Sequence, residues 1–166
     1  MDNQPQKTTF DYFFKAVHTE DGWIHPLKDV VQDVEIDEAK WKPAEEVASI
    51  WEVVAHTTPY LYDVIRALQG GERVKHEDWH EISNWSEAAW KKLRTELLSG
   101  IEQLGAEVAK ISDADFSTAP PNRETARWEF LVDIGVHNAY HAGQIVKLKQ
   151  LYAAKTGAGK KETAGV

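Results

Sequence analysis

The chain has 166 residues, 42% hydrophobic and 28% charged, a composition typical of one globular domain with a substantial core. It contains no cysteine, so disulfides and thiolate ligands are excluded and any metal site must use nitrogen and oxygen donors. The formal net charge of −8, with lysine and arginine scattered, argues against a nucleic-acid-binding face. No apolar run approaches the roughly 20 residues of a membrane span, and no signal-peptide core is evident, so a cytoplasmic protein without membrane contact is expected.

The first helical segment extends from about residue 10 to residue 34, with apolar side chains recurring at spacings of three and four. Gly22 and Pro26 interrupt this pattern. The segment is therefore expected to be kinked or split, with Pro26 opening its second piece. A polar connection over residues 35–44 follows.

The second segment, about residues 44–68, is apolar around much of its circumference and is expected to be the central helix. Pro59 lies inside it and removes one backbone hydrogen bond, so a kink is predicted there. Gly70 and Gly71 are expected to end the helix. The polar connection 72–84 is long enough to cross a helical bundle.

The third segment covers about residues 86–111, and Ser86 is a plausible N-cap. A loop over residues 112–124 leads to the fourth helix, which Thr125 or Asn122 is expected to cap. Four helical segments and no convincing strand predict an all-α fold, a four-helix bundle.

The pattern also predicts a division of the chain into three parts. A polar N-terminal extension covers residues 1–9, the helical bundle covers residues 10–155, and a flexible C-terminal tail covers residues 156–166.

The fourth helix carries polar groups where a bundle seam should be apolar. Its seam is Phe130, Ile134, His137, His141, Gln144, Leu148 and Leu151. His137 and His141, four residues apart, point from the same helix face toward the core. Burying such polar groups costs about 1–3 kcal/mol each unless a partner is present. A divalent metal ion is the simplest partner for two buried imidazoles.

His56, on the second helix, could meet His137 and His141 if the two helices are neighbours. Three neutral imidazoles would leave coordination positions open, which is typical of a catalytic rather than a structural metal site. A divalent ion can lower the pKa of a water that it binds to about 7. The alternative for His56 alone is a hydrogen-bonded core histidine.

Three further side chains lie one helical turn from these histidines. Gln144 follows His141 and Tyr60 follows His56, so both could hydrogen-bond to a bound water or substrate. Glu52 precedes His56 by one turn and could hydrogen-bond to its ring. The alternatives are a seam-edge amide for Gln144, simple packing for Tyr60 and a solvated carboxylate for Glu52.

A competing motif occupies residues 76–80, where HEDWH matches the H-E-x-x-H pattern of zinc proteases. That motif requires a packed helix, whereas this one lies in a charged stretch just after Gly70 and Gly71, so a protease is not expected. His18 and His25 flank the break in the first segment. They could face the same pocket, but we expect them to lie at the surface.

Several short segments of the chain resemble the signatures of a known family. Residues 137–145, HNAYHAGQI, resemble the His-x-x-Tyr-His-x-Gly-Gln signature of the DinB-like family. Residues 49–56, SIWEVVAH, resemble its other signature, which ends in a metal-binding histidine. Residues 22–26 and 87–90 are also similar to family landmarks, and the resemblance spans about residues 23–152, most of the chain.

The resemblance implies an up-down-down-up four-helix bundle, a long connection between helices two and three, and a homodimer. It further implies that His56, His137 and His141 bind a divalent ion, nickel or zinc. Two functional hypotheses follow. One is a metal-dependent thiol S-transferase or hydrolase acting on a small molecule, with a low-molecular-weight thiol as cosubstrate. The other is a non-enzymatic, stress-associated metal-binding or interaction module.

Overall fold

The structure, a computed structural model, describes residues 7–20, 22–72, 74–76, 79 and 81–157. This part of the chain is 68% helical and contains no strand, which confirms the all-α prediction. None of its helices is both long enough and apolar enough to cross a bilayer. The helices are α1 (Lys7–His18), α2 (Leu27–Gln32), α3 (Ile36–Lys40), α4 (Ile50–Leu68), α5 (Glu87–Lys110), α6 (Asp113–Phe116) and α7 (Arg127–Thr156).

The first predicted segment is split, as Gly22 and Pro26 indicated. Helix α1 ends at His18, and α2 begins at Leu27 directly after Pro26, whose φ of −67° suits a helix start. Helix α3 lies in what the sequence suggested was a polar connection. Its five residues are too few for a hydrophobic period to be recognised.

Helix α4 begins at Ile50 and not near residue 44, because a capping box fixes its start. The Ser49 hydroxyl accepts a hydrogen bond from the Glu52 backbone N–H at 3.2 Å, and the Glu52 carboxylate accepts one from the Ser49 N–H at 2.7 Å. The helix continues through Pro59 to Leu68. Gly70, with a φ of 79°, then takes the left-handed conformation that ends it, as predicted.

Of the caps predicted for the last two long helices, one is correct and the other is wrong. Ser86 caps α5 as predicted, accepting a hydrogen bond from the Ala89 N–H at 3.3 Å. Helix α7, however, starts after Ala126, whose N–H donates to the Glu129 carboxylate at 3.3 Å. The cap predicted at Thr125 or Asn122 is therefore wrong, and Asn122 instead occupies a turn with a φ of 61°.

Helix α4 is central, since it packs most extensively on α5 and also contacts α7, while α1 and α2 pack on α7. The Trp90 indole of α5 is 1% exposed and donates a hydrogen bond to the Val34 carbonyl at 2.8 Å, which ties α5 to the segment that follows α2. These contacts place the middle of α7 against α1 on one side and α4 on the other.

The buried stripe of α7 is wider than the predicted seam because the helix is covered by α1, α2 and α4 together. Leu151, predicted to lie on the seam, is 38% exposed, and Phe130 is half-buried. The buried residues of α7 are Leu131, Ile134, Gly135, Asn138, His141, Ala142, Ile145 and Leu148. Ile134, His141 and Leu148 were predicted correctly, and the stripe adds a buried asparagine.

Gly135 of α7 lies against the Phe13 ring of α1, and replacing it with alanine is expected to destabilise the protein. A Cβ atom there would collide with Cε1 of Phe13, so the ring would have to move. Overpacking costs about 1–3 kcal/mol, more than the gain of up to about 1 kcal/mol in helix propensity. We expect urea unfolding to show a net loss of about 1 kcal/mol.

Gly143 provides the matched control on the same helix, because a Cβ atom there would meet no atom within 4 Å. Gly143→Ala should keep or raise the free energy of unfolding, through helix propensity alone. Equal stability of the two variants would contradict the tight contact between Phe13 and Gly135.

Candidate metal centre

Three imidazole rings meet between α4 and α7. Nε2 of His56 lies 3.1 Å from Nε2 of His137, which in turn lies 3.2 Å from Nε2 of His141. One potential ligand atom from each ring lies within 4.8 Å of the other two. His56 and His141 are 6% and 4% exposed, and His137 is half-buried. The predicted convergence of these histidines from two helices is therefore present.

Local structure explains this placement. His137 and His141 are four residues apart in α7, so their rings stand one turn apart on the same face. The packing of α4 against α7 brings His56 opposite them. Each of the three rings is held by regular helix and not by a loop, which gives precise positions.

The outer nitrogens of the two α7 histidines bind amide oxygens. Nδ1 of His141 lies 2.7 Å from Oε1 of Gln144, and Nδ1 of His137 lies 3.3 Å from Oδ1 of Asn138. An amide oxygen only accepts hydrogen bonds, so each Nδ1 carries the proton and donates it. In a neutral ring the other nitrogen, Nε2, then presents a lone pair. Nε2 of His137 lies next to Nε2 of both His56 and His141.

This donor set fits a divalent transition-metal ion. Two unprotonated Nε2 atoms facing each other at 3.2 Å repel unless a cation lies between them. Imidazole ligands about 2.0–2.1 Å from a zinc ion, at the usual coordination angles, lie about 3.0–3.4 Å apart. Two of the three separations, 3.1 and 3.2 Å, match this range, and all three ligand atoms lie within 4.8 Å of one another. Nitrogen donors of this type suit zinc and nickel, and three of them leave further positions open.

Two aromatic side chains flank the histidines. The Trp79 ring stacks on the His56 ring, with centroids 4.2 Å apart and an interplanar angle of 5°, and its edge approaches His141. The Tyr60 ring lies 5.1 Å from that of His56 and 5.2 Å from that of His137, so Tyr60 does border the site. Tyr60 also lines a cleft of about 350 Å³ with Asp63, Val74, Lys75 and His76.

Trp79 was not identified as a site residue from the sequence. It lies outside the helices, where no hydrophobic period places a side chain, and it is 49% exposed. The only available signal was a tryptophan in an otherwise charged connection. Its stacking on His56 places this one residue of the connection against the histidines.

Of the other two candidate residues, Gln144 contacts the site and Glu52 does not. Gln144 binds the outer nitrogen of His141 and so orients the ring from outside. The prediction for Glu52 is wrong, because its carboxylate is held by the Ser49 N–H and by Lys42 at 3.2 Å. Partial burial raises the pKa of Glu52, but these hydrogen bonds outweigh it and lower that pKa below its ordinary value. Glu52 therefore stabilises the start of α4.

The competing protease motif is not helical where the structure describes it. His76 is half-buried beside Tyr60, with ring centroids 5.9 Å apart, and neither His76 nor Trp79 belongs to a helix. The motif's remaining residues, Glu77, Asp78 and His80, lie outside the described residues. A zinc protease of this type requires both histidines on one helix face, which the conformation of His76 and Trp79 does not favour.

His25 is exposed as expected, but the surface position expected for His18 is wrong. His18 is 1% exposed because the last turn of α1 faces α7. Its Nδ1 donates to the Phe14 carbonyl at 3.0 Å, and its ring stacks on that of Phe14. Burial lowers the pKa of His18 to about 4, against a smaller opposing effect of the hydrogen bond to Phe14. The ring is therefore neutral at pH 7.

Comparison with known proteins identifies the family. The family model described as the DinB superfamily matches residues 23–145, about three quarters of the chain. No curated protein and no solved structure gives a significant match. The matched range includes α2 to α6 and α7 as far as Ile145, and it contains His56, His137 and His141. The chain therefore belongs to the DinB superfamily.

Proposed function

We propose that the protein binds one divalent ion, zinc or nickel, through the Nε2 atoms of His56, His137 and His141. The observation that carries this proposal is the approach of the three ring nitrogens, since Nε2 of His137 lies 3.1 Å from that of His56 and 3.2 Å from that of His141. Hydrogen bonds from Nδ1 of His137 and His141 to amide oxygens leave both Nε2 atoms unprotonated and facing each other. A nitrogen-only donor set between two helices supports a borderline metal ion over calcium or magnesium, which prefer oxygen ligands.

We infer that the site is catalytic and acts as a thiol S-transferase or a hydrolase on a small molecule. Three protein ligands leave room for a substrate, unlike a closed structural site. The ion would supply Lewis acidity, which lowers the pKa of a coordinated thiol or water. The cleft beside Tyr60 offers space for a small substrate, and Lys75 in its wall offers a positive charge for an anionic low-molecular-weight thiol.

Within this function, Tyr60 and Trp79 would shield the reacting groups. Both rings lie against His56, and Tyr60 also approaches His137. Excluding water strengthens electrostatic interactions at the site and protects a bound thiolate from solvent. Tyr60 and Trp79 have no role in proton transfer in this proposal.

Turnover is tested by incubating zinc- or nickel-loaded protein with low-molecular-weight thiols and electrophiles, and separately with simple esters. We expect substrate consumption to exceed that of metal-treated His137→Ala by about 10²-fold or more, as Lewis-acid catalysis supplies several kcal/mol. Equal rates for the two proteins across both panels would contradict an enzyme. The second hypothesis, a metal-binding or interaction module without turnover, would then explain a protein that still takes up metal.

We infer an up-down-down-up bundle built from α1, α4, α5 and α7. Helix α4 is about 28 Å long, and the connection 69–86 is long enough to return along it, which supports parallel α4 and α5. The packing of α7 on both α1 and α4 is compatible with this order.

The proposed homodimer has a candidate surface on α7. Val136 and Tyr140, one turn apart, are 58% and 64% exposed. Val136 also borders a cleft of about 280 Å³ that Phe13, Trp128 and Val132 line. Such apolar groups at the surface support association of two copies.

A further inference from the structure

A buried row of hydrogen bonds leads from α1 to the histidine cluster. The Phe14 carbonyl accepts from Nδ1 of His18 at 3.0 Å, and Nε2 of His18 lies 3.0 Å from Nδ2 of Asn138. Oδ1 of Asn138 then lies 3.3 Å from Nδ1 of His137. His18 and Asn138 are 1% and 0% exposed, so no solvent competes for these groups. The row connects a backbone carbonyl of α1 with a proposed metal ligand on α7.

The hydrogen bond from His18 to the Phe14 carbonyl determines the direction of the other hydrogen bonds in this row. A carbonyl only accepts, so Nδ1 of His18 carries a proton, and in the neutral ring Nε2 must accept. The Asn138 amide therefore turns its NH₂ group toward His18 and its oxygen toward His137. His137 must then donate from Nδ1, and its Nε2 is left with a lone pair facing His56 and His141.

We propose that His18 and Asn138 are positioning residues that hold His137 in the tautomer and orientation able to bind the metal ion. The inference rests on the proposed function, since it concerns one of the three ligands. A proton on Nε2 of His137 would block coordination, and a rotated ring would point the lone pair away. The buried row opposes both changes, because each would leave a buried donor or acceptor without its partner.

The two α7 ligands are held in different ways. His141 is oriented by Gln144, a half-buried side chain one turn away on the same helix. His137 is oriented through Asn138 by a residue of another helix, so the packing of α1 on α7 contributes to the ligand geometry. His18 lies outside the range 23–145 matched by the family model. Its contribution is thus a property of this chain that the family match does not describe.

The first test is zinc affinity of the full-length protein, measured by competition with a chromogenic chelator. Removing a residue that hydrogen-bonds to a metal ligand typically weakens metal binding by about 10–100-fold. Asn138→Ala should therefore raise the Kd for zinc by about that factor. His18→Phe should raise it by about tenfold, the lower end of that range, because its aromatic ring cannot accept from Asn138. His18→Gln should bind within about threefold of wild type, because its amide oxygen can replace Nε2 as the acceptor.

The second test reads the tautomer directly and does not depend on metal. Long-range ¹H–¹⁵N correlation spectra of the metal-free protein assign the protonated nitrogen of each ring. We expect His18 to carry its proton on Nδ1 in wild type, and His137 to carry its proton on Nδ1 in both wild type and His18→Gln. In Asn138→Ala, and to a smaller extent in His18→Phe, the His137 proton should move wholly or partly to Nε2. A loss of folding alone would bring all histidines to the tautomer mixture of a free side chain, whereas loss of the Asn138 contact should move the His137 proton and leave that of His141, which Gln144 holds, on Nδ1.

These measurements separate the inference from the proposed function. If wild type takes up no zinc, the proposed function is wrong, while the spectra still decide whether His18 and Asn138 set the tautomer. If wild type binds zinc but His137 carries its proton on Nε2 when metal-free, the inference is wrong. Wild-type zinc affinity in both Asn138→Ala and His18→Phe would also overturn it.

Discussion

Replacing His56 or His141 with alanine should empty the proposed metal centre. Each ring supplies one of three neutral donors, and apparent zinc affinities of about 10–16 kcal/mol for four-ligand sites imply a few kcal/mol per ligand. Loss of one donor should therefore weaken zinc binding by about 10³-fold. Elemental analysis of tag-free protein should find close to one metal ion per chain in wild type and little in either variant.

His25→Ala is the matched control, because it removes an exposed histidine of the same chain outside the cluster. It should retain the metal content of wild type. A different result would identify a different site. If His76→Ala or His80→Ala loses the metal and His56→Ala retains it, the H-E-x-x-H motif is the metal site. Metal-free wild type, after growth with added zinc and nickel, would refute the proposal altogether.

The cluster of three histidines was predictable because its residues follow regular periods. His137 and His141 share a helix face by spacing alone, and α4 carries His56 among closely spaced apolar residues. Long helices with strong periods, α4, α5 and α7, were predicted to within a few residues except at the start of α4. That start was also encoded locally, since Ser49 and Glu52 form the S-x-x-E pattern of a capping box.

The residues around the three histidines were harder to predict, because tertiary contacts determine their environment. Asn138 lies one position beyond the assumed seam, and it is buried only because α1 covers that flank of α7. His18 carried a usable signal, since Phe10, Phe14 and His18 recur every fourth residue and share one face of α1. Trp79 carried none, because a residue in a connection has no period that relates it to a distant histidine.

The buried neutral state of His18 should make the metal-free protein less stable in acid. In the unfolded chain a histidine has a pKa near 6.5, whereas burial lowers the pKa of His18 to about 4 in the folded protein. Between these values the unfolded state binds more protons, so the free energy of unfolding falls as the pH decreases from 6.5 to 4. Above pH 6.5 the ring is neutral in both states and contributes no pH dependence.

The expected size of this effect is about 3 kcal/mol between pH 7 and pH 4, since each pKa unit corresponds to about 1.36 kcal/mol. Other groups also titrate in this range, so the measurement is the difference between wild type and His18→Gln in urea unfolding with a chelator present. Glutamine does not titrate but can accept the hydrogen bond from Asn138. Wild type should therefore lose about 3 kcal/mol relative to the variant on acidification. A difference that stays constant with pH would mean that His18 takes up its proton over the same pH range in the folded and the unfolded chain. In the protonated ring Nε2 would donate to Asn138, and the hydrogen-bond directions assigned from His18 to His137 would be reversed.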